Sequence, residues 1–218
     1  MKDHTPAHWD PLAQLDAVRR QRLASYAQML RDFNQHINLV SREDEDRIFS
    51  HHVLHCLYLT YRSWPSGSTV VDWGTGGGLP AIPLAIVRPE VRFIALDASA
   101  KKVRSVRAMA RRIGLENLEA IHSRAERFEA EAAYSVSRAT APLKELWGWH
   151  RQLSVPPDPA RTDGCWAPGL VCLKGGDLRA EIAEVGSEVD VERLRIDAWT
   201  DDPYFLDKVL LACTEPSG

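Results

Sequence analysis

The sequence predicts an α/β domain built on a mainly parallel sheet covered on both faces, preceded by a helical N-terminal region. Three observations predict it. From residue 69 onward, short β-branched or apolar runs alternate with helix-length segments. The first of these runs, Thr69-Val70-Val71-Asp72, passes directly into a glycine-rich turn, Trp73-Gly74-Thr75-Gly76-Gly77-Gly78, and a helix start at Leu79-Pro80. Before residue 66, apolar residues recur instead at helical spacing.

Residues 12–33 read as an amphipathic helix. Leu15, Leu23, Tyr26, Leu30 and Phe33 form one face, with Arg19, Arg20, Arg22 and Arg31 between them. The pattern breaks at 34–40. Ser41, with Asp44 three residues on, reads as an N-cap of a second helix running to about Tyr61. Pro65-Ser66-Gly67-Ser68 is a turn. It divides a helical extension, residues 1–66, from the main domain, residues 67–218, the two forming one compact unit. Strands are expected at 69–72, 91–97, 118–122, 133–137 and 169–174, and helices at 80–87, 99–113, 142–153 and 177–186. Pro80 and Pro83 suit a first helical turn, and Gly114 a helix end. The proline-bearing stretch 154–168 is a loop. The runs Val191 to Trp199 and Lys208 to Cys213 are expected to close the sheet as an antiparallel pair.

The 218 residues suffice for one good-sized core, and 44% hydrophobic with 26% charged content is ordinary for a globular protein. The four cysteines have no CxxC spacing, which argues against a zinc ribbon or a disulfide framework. The N-terminus lacks the apolar core of a secretory signal, and no apolar run approaches a membrane span. A cytoplasmic monomer without membrane contact is therefore expected. The net charge of −3 is not the signature of a generally basic nucleic-acid binder, so an RNA partner has to be met by a local patch.

Two cofactor classes compete for the glycine-rich turn. A dinucleotide fingerprint needs G-x-G-x-x-G; Gly74 and Gly76 match, but the third position is Leu79. Gly74, Gly76, Gly77 and Gly78 let backbone press against a ligand. Asp72 is expected to repel a pyrophosphate and to suit a ligand with a positive amino-acid end. S-adenosylmethionine has such an end and no phosphate. Asp97 closes the next strand, 23 positions after Gly74, about the spacing at which an acid reaches ribose hydroxyls.

Several blocks then follow in order: Asn38-Leu39-Val40-Ser41; His52-Val53-Leu54-His55-Cys56-Leu57; the run from Asp72 to Leu84; Asp97 with Lys101-Lys102-Val103; Ser123-Arg124-Ala125-Glu126; Ser137-Arg138-Ala139; and Leu173-Lys174-Gly175-Gly176. In these, from about Tyr26 to Cys213, the chain resembles the bacterial small-subunit ribosomal RNA guanine-N7 methyltransferases, also called glucose-inhibited division protein B. The resemblance implies a class I S-adenosylmethionine-dependent methyltransferase fold, Rossmann-like, with the N-terminal helical extension. It implies methyl transfer from S-adenosylmethionine to N7 of a guanine in 16S ribosomal RNA, free or in the small subunit. Carried over by position, the cofactor contacts are Gly74, Leu79, Ala125, Glu126 and Arg138; the loop residues Asp72, Gly76 and Gly78 and the ribose acid Asp97 complete the set. The chain departs from the family pattern at Trp73, whose ring is expected to narrow the methionine pocket, at Ala81, and at His55, where many members have Asp.

Guanine N7 carries a lone pair and no proton, so its methylation needs no general base. Catalysis then rests on aligning the reacting atoms. Arg138 and Lys174 end strands at the ligand edge and are candidates for that positioning. Lys101, Arg104, Arg107 and Arg111 lie off the apolar face of the helix at 99–113, either as an RNA-phosphate strip or as a solvated face. His51 and His55 share a helical face, but no third ligand is evident, and no metal is expected. Trp147 and Trp149 are expected to cover the sheet. The rival readings are a small-molecule methyltransferase, a non-catalytic rRNA-binding or assembly protein that keeps the fold, and, weakest, a nicotinamide oxidoreductase.

Overall fold

The computed structural model describes residues 9–138, 140–154 and 163–216. Ala139, from one of the blocks above, most of the proline-bearing loop and the first residues of the chain lie outside the described residues.

The sheet has seven strands: β1 (Thr69–Trp73), β2 (Arg92–Asp97), β3 (Leu118–His122), β4 (Tyr134–Arg138), β5 (Gly169–Gly175), β6 (Asp190–Arg195) and β7 (Lys208–Thr214). Their order is β3-β2-β1-β4-β5-β7-β6. The first five pair parallel, and β7 runs antiparallel between β5 and β6. The closing pair is thus antiparallel as expected, with the later strand inserted next to β5. Order reverses between β1 and β4, and such a reversal opens a crevice at the carboxyl ends of the strands.

The helices are α1 (Ala17–Asn34), α2 (Leu54–Leu57), α3 (Ala81–Val87), α4 (Ala100–Ile113), α5 (Leu143–His150) and α6 (Arg179–Val185). α1 starts later than its apolar pattern because Asp16 caps it, accepting from the Arg19 N–H at 2.7 Å. α4 opens on a Ser99 cap and ends on Gly114 at φ +74°, in the left-handed region.

The second N-terminal helix is the main departure from expectation. It is broken into a 3-10 turn (Arg42–Arg47), a π turn (Ile48–Val53), the single α turn of α2 and a further 3-10 turn (Tyr58–Tyr61). Ser41 makes no side-chain cap. The reciprocal partner it needs, Asp44, instead faces His51 and His52 at 3.4 Å each. Adjacent residues on a regular α-helix diverge by about 100°. In the wider π turn His51, His52 and, one turn on, His55 are all buried.

One face of the sheet is covered by α3, α4 and α1. Leu23, Tyr26 and Leu30 of α1 share an apolar cluster with Ile82, Val103, Val106 and Met109. The other face is covered by α5 and α6, where Leu143, Leu146 and Trp147 pack with Val71, Leu170 and Leu211. Trp73 belongs to this second cluster. Fully buried, with Phe128 at 6.0 Å and Trp149 at 6.2 Å between ring centroids, it is a core residue and does not border the hollow at the glycine turn. The narrowing expected of its ring does not occur, because alternation along β1 sends it to the α5 side.

Candidate functional site

A hollow of 420 Å³ lies at the carboxyl end of β1, where strand order reverses. Of the residues singled out in the sequence, Gly74, Gly76, Leu79, Asp97, Ala125, Glu126 and Arg138 all line it. They come from the ends of the four strands β1 to β4 and the loops beyond them.

The loop is held from several sides. The Gly76 N–H donates to Asp97 Oδ2 at 2.9 Å, and the Ser99 N–H donates to Oδ1 at 2.8 Å. Asp97 thereby ties the β1 turn to the start of α4 and keeps a lone pair on each oxygen for a ligand. Tyr26 of α1 donates its hydroxyl to the Gly77 carbonyl at 2.9 Å. Thr140 Oγ1 lies 3.0 Å from the Trp73 carbonyl and 3.2 Å from that of Gly74. Gly74 sits at φ +70°, and a Cβ there would fall 2.1 Å from Thr140 Cγ2.

Two of the expected residues are placed elsewhere. Gly78, at φ +96°, gives way to the Ile82 side chain, which a Cβ would meet at 2.6 Å. Asp72 is fully buried beneath the loop, and its Oδ2 accepts the Ala81 N–H at 3.2 Å. Burial pushes its carboxyl up to about 7, against the opposing hydrogen bonds. Asp72 is therefore no charged wall facing a ligand.

A diphosphate is nevertheless poorly served here, for another reason. The N–H groups at the start of α3 are already used: Gly78 and Leu79 donate to the Thr75 carbonyl, Ala81 to Asp72 and Ile82 to the Gly78 carbonyl. Pro80 and Pro83 have none. A dinucleotide turn relies on such donors for its pyrophosphate.

Arg138 forms the far wall. Its guanidinium donates to Nδ1 of His52 at 2.9 Å. His52 must accept there, so it is neutral; burial and the neighbouring guanidinium hold its pKa down at about 4. Lys174 lies at the sheet edge but is committed, donating to the Ala141 carbonyl at 2.7 Å and pairing with Glu181. Its ammonium anchors α6 to β5 rather than facing solvent.

The basic strip on α4 divides. Arg107 donates twice to the Ala120 carbonyl, at 2.9 and 2.7 Å, and Lys101 donates to the His36 carbonyl at 3.1 Å. Arg104 and Arg111 are exposed and, among the described residues, have no ion-pair partner. Sequence reasoning missed Leu39, Lys102, Thr140 and Trp149, which also line the hollow. Thr140 carried a local signal, two residues beyond the end of β4. Trp149 carried none beyond being aromatic.

A family model described as rRNA small subunit methyltransferase G matches residues 19–194. The chain belongs to that family. A relative named ribosomal RNA small subunit methyltransferase G from Salinibacter ruber is 53% identical over 175 residues, covering 80% of this chain and 81% of its own. Its namesake from Chlorobaculum tepidum is 39% identical over 199 residues, covering 87% and 86%. Among solved structures, a SAM-dependent methyltransferase from Aquifex aeolicus superposes with TM-score 0.55 at 15% identity, covering 79% of this chain and 95% of its own. A precorrin-6y C5,15-methyltransferase from Geobacter metallireducens gives 0.52 at 13%, covering 82% and 90%. At such identities the likeness concerns the fold: a class I methyltransferase domain with the N-terminal helix added to it.

Proposed function

We propose that this family member transfers the methyl group of S-adenosylmethionine to N7 of a guanine in 16S ribosomal RNA, acting as a cytoplasmic monomer on the RNA or the small subunit. The observation that carries the reading is the convergence of Gly74, Leu79, Asp97, Ala125, Glu126 and Arg138 on one hollow at the strand-order reversal.

The residues present fit the cofactor. Asp97 offers its free lone pairs to ribose hydroxyls. Ala125 and Glu126 flank the adenine. The glycine turn, where a Cβ at Gly74 has no room, receives the amino-acid end. Bound there, S-adenosylmethionine supplies an electrophilic methyl carbon on a sulfonium. Its methyl would pass to the N7 lone pair, leaving the C–S bonding pair on sulfur and the positive charge on the purine.

No residue has to remove a proton. The protein's work is alignment: the β1 turn, laced to Asp97, Tyr26 and Thr140, fixes one reactant, and Arg138 at the far wall limits the approach of the other. Incubating the full chain with labelled S-adenosylmethionine and unmethylated small-subunit RNA tests the reading. The expected result is label mapped to a single guanine N7. Label on a small acceptor alone favours a small-molecule methyltransferase, and no binding of S-adenosylhomocysteine favours an assembly protein.

A further inference from the structure

We propose that the acceptor guanine lodges in a second hollow beside the first, with the buried side chain of His55 contacting its O6 and Tyr204 stacking on its face. The proposal rests on the function argued above.

The second hollow, of 890 Å³, shares Arg138 and Thr140 with the first, so the two meet at that wall. His55 lines it. This imidazole is only 4% exposed, yet neither Nδ1 nor Nε2 has a hydrogen-bond partner. Buried polar groups almost always find one, and a ring that lines a cavity with both nitrogens unused is a group awaiting a ligand.

The chemistry of the ring suits guanine. Burial, and then the charges of Arg138 and Lys208, hold its pKa well below the ordinary histidine value. It is therefore neutral, with one N–H to give. N7 and O6 are neighbouring acceptors on one edge of guanine. A base that turns N7 toward the shared wall brings O6 along the same side. Methylation leaves positive charge on the purine, which a neutral imidazole tolerates and an imidazolium beside Arg138 would oppose.

Tyr204 supplies the platform. Its ring lies flat on His51, with centroids 3.7 Å apart, and meets His55 edge-on at 6.2 Å. It borders the second hollow, half-buried, and the flexible Lys208 ammonium lies over it, 5.4 Å from the ring centroid, where a stacking base takes its place. Single-base chemistry of this kind requires the base to leave its stack for such a pocket.

The test uses the full chain and small subunits whose 16S RNA carries either guanine or 2-aminopurine at the methylated position. 2-Aminopurine keeps N7 and lacks O6. We expect wild type to methylate 2-aminopurine roughly tenfold more slowly than guanine, the worth of one buried hydrogen bond. His55→Ala should methylate guanine as slowly as wild type methylates 2-aminopurine, with no further loss on 2-aminopurine. Affinity for S-adenosylhomocysteine, by calorimetry, should stay within about twofold, because His55 borders only the second hollow. If His55→Ala fails to fold, His55→Asn, which keeps an amide donor, should retain the preference for guanine. Wild-type rates on guanine with His55→Ala, or an additional loss on 2-aminopurine, would overturn the contact. A wild-type enzyme that leaves every guanine N7 unmethylated defeats the functional reading instead.

Discussion

Arg138 Nη1 and His52 Nδ1 lie 2.9 Å apart, and this contact joins the wall of the cofactor hollow to the broken N-terminal helix. His52 is a buried acceptor made neutral by its surroundings. Asp44 sits 3.4 Å from its other nitrogen and from His51. The N-terminal extension thus reaches the site through His52 at Arg138, through Tyr26 at the Gly77 carbonyl and through Leu39 in the lining of the hollow.

Replacing His52 by Ala should release Arg138. A hydrogen bond to a charged group is worth roughly 1.5–3 kcal/mol, so the KM for S-adenosylmethionine should rise on the order of tenfold or more. His52→Asn offers an amide oxygen and should recover part of the loss. His52→Lys, which cannot accept, should recover none. Steady-state kinetics on the three variants separate this positioning role from a general loss of fold, since a structural defect would not depend on an acceptor at residue 52.

The glycines of the turn should not be equivalent. A Cβ at Gly74 collides with Thr140 at 2.1 Å, whereas one at Gly76 comes no closer than 4.0 Å to the Gly74 carbonyl. Both residues have positive φ, which costs an L-residue about 1 kcal/mol. Gly76→Ala should therefore show that modest penalty in denaturant melts and retain cofactor binding. Gly74→Ala must displace Thr140 and the loop, and should abolish detectable binding of S-adenosylhomocysteine. Equal effects of the two changes would show that strain alone governs the turn.

Asp97 combines two structural hydrogen bonds with the proposed ribose contact. Asp97→Asn keeps a single acceptor oxygen and places an amide against one of two N–H donors. We expect cofactor affinity to fall about 100-fold or more by calorimetry, since lost contact and unpaired donors add. Loss of stability without loss of affinity would leave Asp97 a loop brace only.

Most of the sheet was legible because strand and helix periods differ: six strands fall within a residue of expectation, while β6 stops at Arg195, four residues short of the run's end at Trp199, where a 3-10 turn (Ile196–Ala198) takes over. The site was legible wherever residues close strands, since topology brings strand ends to one edge. Two things were hidden. The π turn has no sequence signature, so three adjacent-looking histidines gave no sign that all would be buried. Burial of Asp72 was equally hidden, because its neighbours Val71 and Trp73 mark a strand without telling how deeply a following loop will cover the carboxylate.

Acid should destabilise the fold. Burial lowers His52 and His150 to about 4 and lowers His55 as well. Between pH 6.5 and 4 the unfolded chain binds protons that these rings refuse when folded. Their contribution is full above pH 6.5 and is lost as pH falls toward 4. Asp72, raised to about 7, acts oppositely: its contribution is present below pH 3.8 and lost as pH rises through 7. His52 and His150, each full shift worth on the order of 3 kcal/mol, already outweigh the single carboxyl over this range, and His55 acts in the same direction. Urea midpoints should fall between pH 7 and pH 5, and His150→Gln should reduce that fall. A midpoint unchanged over this range would contradict the assignment of neutral rings.

Arg107 spends its guanidinium on the Ala120 carbonyl and Lys101 its ammonium on that of His36, so both serve the fold. Arg104 and Arg111 are exposed seven residues apart, about two turns along one side of the helix. If α4 meets RNA phosphates, these two carry the contact. The double variant Arg104→Ala/Arg111→Ala should weaken binding to small-subunit RNA at low salt. It should also flatten the plot of log affinity against log salt by about 1.4–1.8, the release expected for two phosphates. Arg107→Ala should lower the melting temperature while leaving that slope in place. An unchanged slope in the double variant would make the strip a solvated face, and RNA would have to approach the two hollows from the β5 side instead.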